Sequence, residues 1–117
     1  DISNENLKLI KDWVKKTDWV DFLAQDEITI SNTSICLRFS DSILNELDVE
    51  NQVSLEKNIV DILENENVAY DIGSYRSAPP GLRIWGGPTI NPNDIKMLLP
   101  WLQWAFEDTY KLVKKGN

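Results

Sequence analysis

The chain has 117 residues, 42% of them hydrophobic, and this length and composition predict one domain with a buried core. A formal net charge of −7 and a pI of about 4.5 argue against nucleic acid and anionic membrane surfaces as partners, because both carry negative charge. The sequence also has no run of about 18 apolar residues, which is what a membrane-spanning helix requires.

The first part of the chain is predicted to form a helix and a strand. Ser3 is expected to cap a helix that runs to about residue 16, because apolar side chains recur there at helical spacing. A short turn restarts at Thr17 and places Trp19 on its apolar side. Residues 33–39 alternate between polar and apolar side chains, and this period of two predicts a half-buried strand.

The rest of the chain is predicted to form two helices and two strands. Asp48 caps a helix that ends in a polar run at residues 64–67, and alternation then predicts a strand at residues 68–72. A loop rich in proline and glycine leads to a further strand at residues 82–85, and Asn91 caps the last helix. This order predicts an α+β fold of two layers, a small and mostly antiparallel sheet covered by helices on one face.

Familiar catalytic patterns are missing from the sequence. It contains no histidine, no glycine-rich phosphate loop and no Gly-x-Ser-x-Gly motif, and all nine lysines fall in predicted helices. We therefore expect no catalytic, cofactor-binding or metal-binding residue in this chain. The one cysteine, Cys36, rules out an internal disulfide, favours a cytoplasmic protein and is expected to be an inert, packed thiol.

The arginines point to a binding function. Arg76 and Arg83 flank the proline-containing turn, and strand alternation places Arg83 and Trp85 together on the face opposite Leu82 and Ile84. A guanidinium beside an aromatic ring suits a planar carboxylate, which it can bind with two parallel hydrogen bonds. On this pattern alone, an ion pair between Arg83 and an acidic side chain of the chain itself is an equal alternative.

Four longer stretches resemble a known family. They are Val68-Ala69-Tyr70-Asp71-Ile72 with Tyr75-Arg76-Ser77-Ala78-Pro79-Pro80-Gly81-Leu82-Arg83-Ile84-Trp85-Gly86-Gly87-Pro88-Thr89, then Trp19-Val20-Asp21-Phe22-Leu23-Ala24, Ser31-Asn32-Thr33-Ser34-Ile35-Cys36-Leu37 and Leu99-Pro100-Trp101-Leu102-Gln103-Trp104-Ala105-Phe106. In order and spacing they resemble the C-terminal small domain of phosphoserine aminotransferases, in the branch typical of alphaproteobacteria and some archaea. The resemblance covers most of the chain.

The resemblance implies a class V, fold-type-I aminotransferase that uses pyridoxal phosphate and acts as a homodimer. Such an enzyme transfers an amino group between glutamate and 3-phosphohydroxypyruvate in serine biosynthesis. Residues 1–117 would be its small domain only. The large cofactor-binding domain would be absent, so this chain alone is expected to be inactive.

Two residues match positions that bind substrate in the family. Arg83 matches the arginine that binds the substrate α-carboxylate, and Arg76 matches a basic position near the phosphate end of the substrate. Many relatives have His-Arg where this chain has Tyr75-Arg76, and the turn between the two arginines is one residue longer here.

Two alternatives to an enzyme domain stay open at this point. One is a free-standing binding or regulatory module for a small carboxylate or phosphate, since small α+β domains serve many functions. The other is an assembly domain in which Trp85, Trp101 and Trp104 form an interface.

Overall fold

The fold was determined as a computed structural model that describes residues 1–23, 34–69, 72–74, 79–87 and 89–115, with side chains to residue 113. The elements in chain order are α1 (Ile2–Lys15), β1 (Val20–Phe22), β2 (Ser34–Phe39), α2 (Asp41–Glu46), α3 (Val49–Asn65), β3 (Gly81–Trp85) and α4 (Pro92–Lys115). The three strands form one antiparallel sheet in the order β1-β2-β3. The predicted α+β fold with a small antiparallel sheet is confirmed.

Two of the three predicted strands, β2 and β3, are found where alternation placed them. The third strand of the sheet, β1, lies where a turn was predicted. Its three residues are too few to show a period, and it becomes a strand by pairing with β2, where Val20 lies opposite Phe39. The short helix α2 was not predicted either, because six residues carry too little of the helical repeat.

The predicted strand at residues 68–72 is wrong at its start, and Tyr70 and Asp71 lie outside the described residues. The backbone N–H groups that a strand would use are bonded to the end of α3. Asn67, with a φ of 56°, donates its N–H to the Glu64 carbonyl at 3.0 Å, and Val68 donates to the Leu63 carbonyl at 2.9 Å. This pair of bonds is a Schellman motif, in which asparagine tolerates the left-handed conformation.

Side-chain caps begin the long helices. Asp1, rather than the predicted Ser3, caps α1, because its Oδ1 accepts the N–H of Ser3 at 2.8 Å. Asp48 caps α3 as predicted, accepting an N–H of the first turn at 2.8 Å. Asn91 accepts an N–H of the first turn of α4 at 2.9 Å, which confirms that prediction as well.

The core lies between one face of the sheet and the three long helices. The sheet contributes six buried side chains to it: Val20, Ile35, Leu37, Phe39, Leu82 and Ile84. Trp19, which is 1% exposed, stacks on Phe106 of α4 with ring centroids 4.1 Å apart, and its Nε1 donates to Gln103 at 2.8 Å. Helix α4 packs on α1 and α3. In the described part of the chain, no helix has both the length and the apolar character needed to cross a membrane.

Candidate functional site

The sheet has a second face, which is turned away from the core and which we call the open sheet face. Side chains that alternate with the buried ones lie on it: Asp21, Ser34, Cys36, Arg38, Arg83 and Trp85. Across the pairing of β2 with β3, Cys36 lies opposite Arg83 and Ser34 lies opposite Trp85. The two large side chains of β3 therefore have small neighbours on β2.

Arg83 and Trp85 share the open sheet face, as strand alternation predicted. Leu82 precedes Arg83, and Ile84 lies between Arg83 and Trp85. Both are buried in the core, with exposures of 0% and 1%. The guanidinium carbon of Arg83 lies 5.3 Å from the centroid of the Trp85 ring, and Trp85 is 46% exposed. Stacking on the indole orients the half-buried guanidinium, and a planar guanidinium held in this way is suited to bind a carboxylate through two hydrogen bonds.

Both edges of β3 hold the backbone at Arg83. On one side the residue is paired with Cys36 in β2. On the other side its N–H donates to the carbonyl of Ile72 at 2.7 Å, and the preceding residue, Leu82, forms a bridge with Gly73. The position of the Arg83 Cα is therefore fixed from both sides, by its own hydrogen bond to Ile72 and by the pairing of β3 with β2.

The other arginine on this face, Arg38, is occupied by ion pairs. Its Nη1 lies 3.1 Å from Asp41 and its Nη2 lies 3.7 Å from Asp21, which is the residue opposite Arg38 in the β1–β2 pairing. Nη1 also donates to the carbonyl of Phe39 at 3.2 Å. Two carboxylates thus balance the charge of Arg38, which makes it a poor candidate for binding an external anion.

The remaining candidates fall outside the site or outside the described residues. Arg76 and Tyr75 lie in a range that the structure does not describe, so the prediction for Arg76 stays a prediction. Cys36 is half-buried on the open sheet face, because Ile35 and Leu37 take the core side of β2, and its inertness stays a prediction.

No lysine with a described side chain is placed as covalent binding of pyridoxal phosphate requires. A lysine that binds this cofactor covalently has to be presented to it and desolvated. The lysines with described side chains all lie on helices or at a helix end, and all are exposed apart from the half-buried Lys11. Within the described ranges, no cluster of three or more Cys, Asp or Glu side chains is arranged to hold a metal ion.

Sequence reasoning missed one residue beside the site. Glu56 of α3 accepts two hydrogen bonds through one carboxylate oxygen, from the Ser74 hydroxyl at 2.6 Å and from the Gly81 N–H at 2.8 Å. Gly81 is the first residue of β3, two positions before Arg83. An acidic residue in the middle of a helix is normally a solvated charge, so the sequence carried no signal for this contact.

The tryptophans that were considered as an interface do not form one surface. Trp85 lies on the open sheet face, whereas Trp101 and Trp104 lie on α4, which packs in the helix layer. Trp101 and Trp104 contact each other edge to face at 5.4 Å and line a shallow groove with Glu66 and Pro100. Of these three tryptophans, the described contacts join only Trp101 and Trp104.

Comparison with known proteins identifies what the chain is similar to. It is 42% identical to the phosphoserine aminotransferase of Methanosarcina mazei over 105 residues, which is 90% of this chain and 26% of that protein. The phosphoserine aminotransferase of Methanosarcina barkeri is also 42% identical, over 114 residues, with 96% of this chain and 26% of that protein covered. The chain thus spans about a quarter of the length of these curated relatives. No protein-family model matches it.

Comparison with solved structures shows which fold the chain shares. The phosphoserine aminotransferase from Bacillus circulans subsp. alkalophilus superposes with a TM-score of 0.68 at 19% identity, over 91% of this chain and 26% of that one. At this identity the likeness is one of fold alone. The resemblance to phosphoserine aminotransferases that the sequence motifs indicated is confirmed, and it concerns a part of those proteins.

Proposed function

We propose that the chain is the C-terminal, substrate-binding small domain of a phosphoserine aminotransferase and that Arg83 binds the α-carboxylate of the substrate. The observation that carries the proposal is the match of nearly the whole chain to about a quarter of each of two phosphoserine aminotransferases. A domain-sized match of this kind supports a part of a larger enzyme better than a complete protein. The stacked guanidinium on the open sheet face supports the role of Arg83.

The parent enzyme would transfer an amino group between glutamate and 3-phosphohydroxypyruvate, giving phosphoserine and 2-oxoglutarate. When bound, pyridoxal phosphate supplies the amino-group chemistry of such enzymes. Because the described lysines of this chain do not fit that cofactor, we assign its binding to the rest of the parent and expect this chain alone to be inactive. The family resemblance also supports a homodimeric parent, and the single cysteine is consistent with the cytoplasm.

The contribution of this chain is to hold and orient the substrate. Arg83 would donate two parallel hydrogen bonds to the α-carboxylate, while Trp85 limits the directions in which the guanidinium can point. Fixing the carboxylate orients the rest of an amino-acid substrate and excludes unproductive poses, and positioning of this kind accelerates reactions. Arg76 would contact the phosphate group at the other end of the substrate.

The test compares the full-length protein with the isolated chain. We expect the full-length protein to form glutamate from phosphoserine and 2-oxoglutarate, and the isolated chain to form none. In calorimetric titration to millimolar concentration, the isolated chain should show no saturable binding of phosphoserine, glutamate or pyridoxal phosphate. Tight binding of any one of them would instead favour a free-standing ligand-binding module. If the full-length protein transaminated other amino acids but not phosphoserine, the proposed substrate would be wrong.

A further inference from the structure

We infer that Glu56 is a positioning residue for the carboxylate site: its side chain fixes the first residue of β3 and thereby the place at which Arg83 is presented. The inference rests on the proposed role of Arg83. It assigns no contact between Glu56 and substrate.

The contacts of Glu56 join two segments of the chain. Its Oε1 accepts hydrogen bonds from the hydroxyl of Ser74 and from the N–H of Gly81, at 2.6 and 2.8 Å. These donors are seven positions apart in the sequence. A single carboxylate oxygen therefore holds the end of one segment against the start of the next, and hydrogen bonds to an ionised acceptor are stronger than those to a neutral one.

The start of β3 has little room to move between β2 and Glu56. A Cβ on Gly81 would overlap the carbonyl oxygen of Leu37 and would lie 2.8 Å from the Cα of Arg38. On the other side, the N–H of Gly81 donates to the carboxylate of Glu56 at 2.8 Å. The position at which β3 enters the sheet is therefore set by close backbone packing against β2 and by the charged carboxylate of Glu56.

The position of Gly81 is transmitted to Arg83 along the strand. The two residues lie on the same face, and a strand rises about 3.3 Å per residue, so only about 7 Å of extended backbone separates them. Loss of the Glu56 contact would free the start of β3 while the β2 pairing and the bond to Ile72 remain. A small displacement of Arg83, rather than unfolding, is the expected result, and a displaced guanidinium would bind the substrate carboxylate more weakly.

The experiment uses the full-length protein with Glu56→Ala, the conservative Glu56→Gln and, as a control, Asp61→Asn at an exposed position of the same helix. We expect Glu56→Ala to raise the KM for phosphoserine about tenfold with a much smaller change in kcat, because a displaced Arg83 weakens binding of the carboxylate in the ground state and in the transition state alike. Glu56→Gln should recover most of the KM, because its amide oxygen can still accept from Gly81. Asp61→Asn should leave both constants unchanged.

A double-mutant comparison separates positioning from general destabilisation. In an Arg83→Ala background, Glu56→Ala should have no further effect on the KM, because the group that it positions is gone. An equal fold-change in both backgrounds, or an unchanged KM in Glu56→Ala alone, would overturn the inference.

The contact itself is tested by amide hydrogen exchange, which does not depend on activity. Glu56→Ala should accelerate exchange of the Gly81 N–H, and Asp61→Asn should not. If the full-length protein had no phosphoserine aminotransferase activity, the proposed function would fail while this measurement still decided whether Glu56 holds β3. Unchanged exchange at Gly81 in Glu56→Ala would overturn the role of Glu56 whatever the activity.

Discussion

Removing the Arg83 guanidinium in the full-length protein tests the carboxylate site most directly. Arg83→Ala leaves a substrate carboxylate without its charged partner, whereas Arg83→Lys keeps a positive charge but cannot form two parallel hydrogen bonds. The stability of the sheet should change little, because the backbone hydrogen bond of Arg83 to Ile72 and the pairing of β3 with β2 are retained.

The expected magnitude follows from the surroundings of Arg83. Truncating one partner of a hydrogen-bonded charge pair costs about 2–5 kcal/mol when the pair is buried. In this chain alone Arg83 is half-buried and Trp85 is 46% exposed, so the lower end of that range, about 2 kcal/mol, is the smallest loss expected once the open sheet face is covered in the full-length protein. Since 1.36 kcal/mol corresponds to a factor of ten, kcat/KM for phosphoserine should fall at least about 30-fold in Arg83→Ala. Arg83→Lys should lie between this value and the unmodified protein.

The assay is steady-state transamination of phosphoserine with 2-oxoglutarate, with thermal unfolding of each variant measured in parallel. Arg38→Ala is the matched control, because Arg38 lies on the same sheet face but is paired with Asp21 and Asp41. We expect this control to keep its kcat/KM and to lose about 1 kcal/mol of stability or less. A kcat/KM within twofold of the unmodified value in Arg83→Ala, or an equal loss in Arg38→Ala, would refute the assignment.

Two further predictions concern stability and are measured by urea unfolding followed by circular dichroism. Trp19→Ala should lower the free energy of unfolding by about 3–5 kcal/mol, because Trp19 is 1% exposed and stacked on Phe106. Trp104 is 47% exposed, so Trp104→Ala should lower it far less. Similar losses in the two variants would contradict the assigned core. Asn67→Gly should keep or raise stability, and Asn67→Val should lower it by about 1–3 kcal/mol, since the φ of 56° strains a β-branched residue; equal stabilities would contradict the Schellman motif.

The part of the site that could be predicted is the part encoded locally. Alternation along one strand decides which side chains share a face, so the pairing of Arg83 with Trp85 followed from four consecutive residues. The caps at Asp48 and Asn91 were predictable for the same reason, because a capping side chain bonds the backbone only two or three residues away.

What could not be predicted depends on contacts between distant segments. The strand β1 exists because Val20 meets Phe39 of β2. Glu56 reaches Ser74 and Gly81, 18 and 25 positions away, and nothing in its local sequence distinguishes it from other helical carboxylates. Tertiary contacts decide both cases. The start of the predicted strand at residues 68–72 failed for a local reason, because the Schellman motif at the end of α3 uses the N–H of Val68.

The geometry of the open sheet face explains why such a site should need more protein than this chain. Ion pairs that remain in water contribute only about 0–1 kcal/mol, because solvent screens them and competes for the hydrogen bonds. Arg83 is half-buried and Trp85 is 46% exposed, so this chain alone gives a bound carboxylate one oriented cation and one aromatic wall. Covering the open sheet face would exclude water and strengthen the same contact. We therefore expect Arg83 to bind a substrate carboxylate weakly in the isolated chain and strongly in the full-length protein.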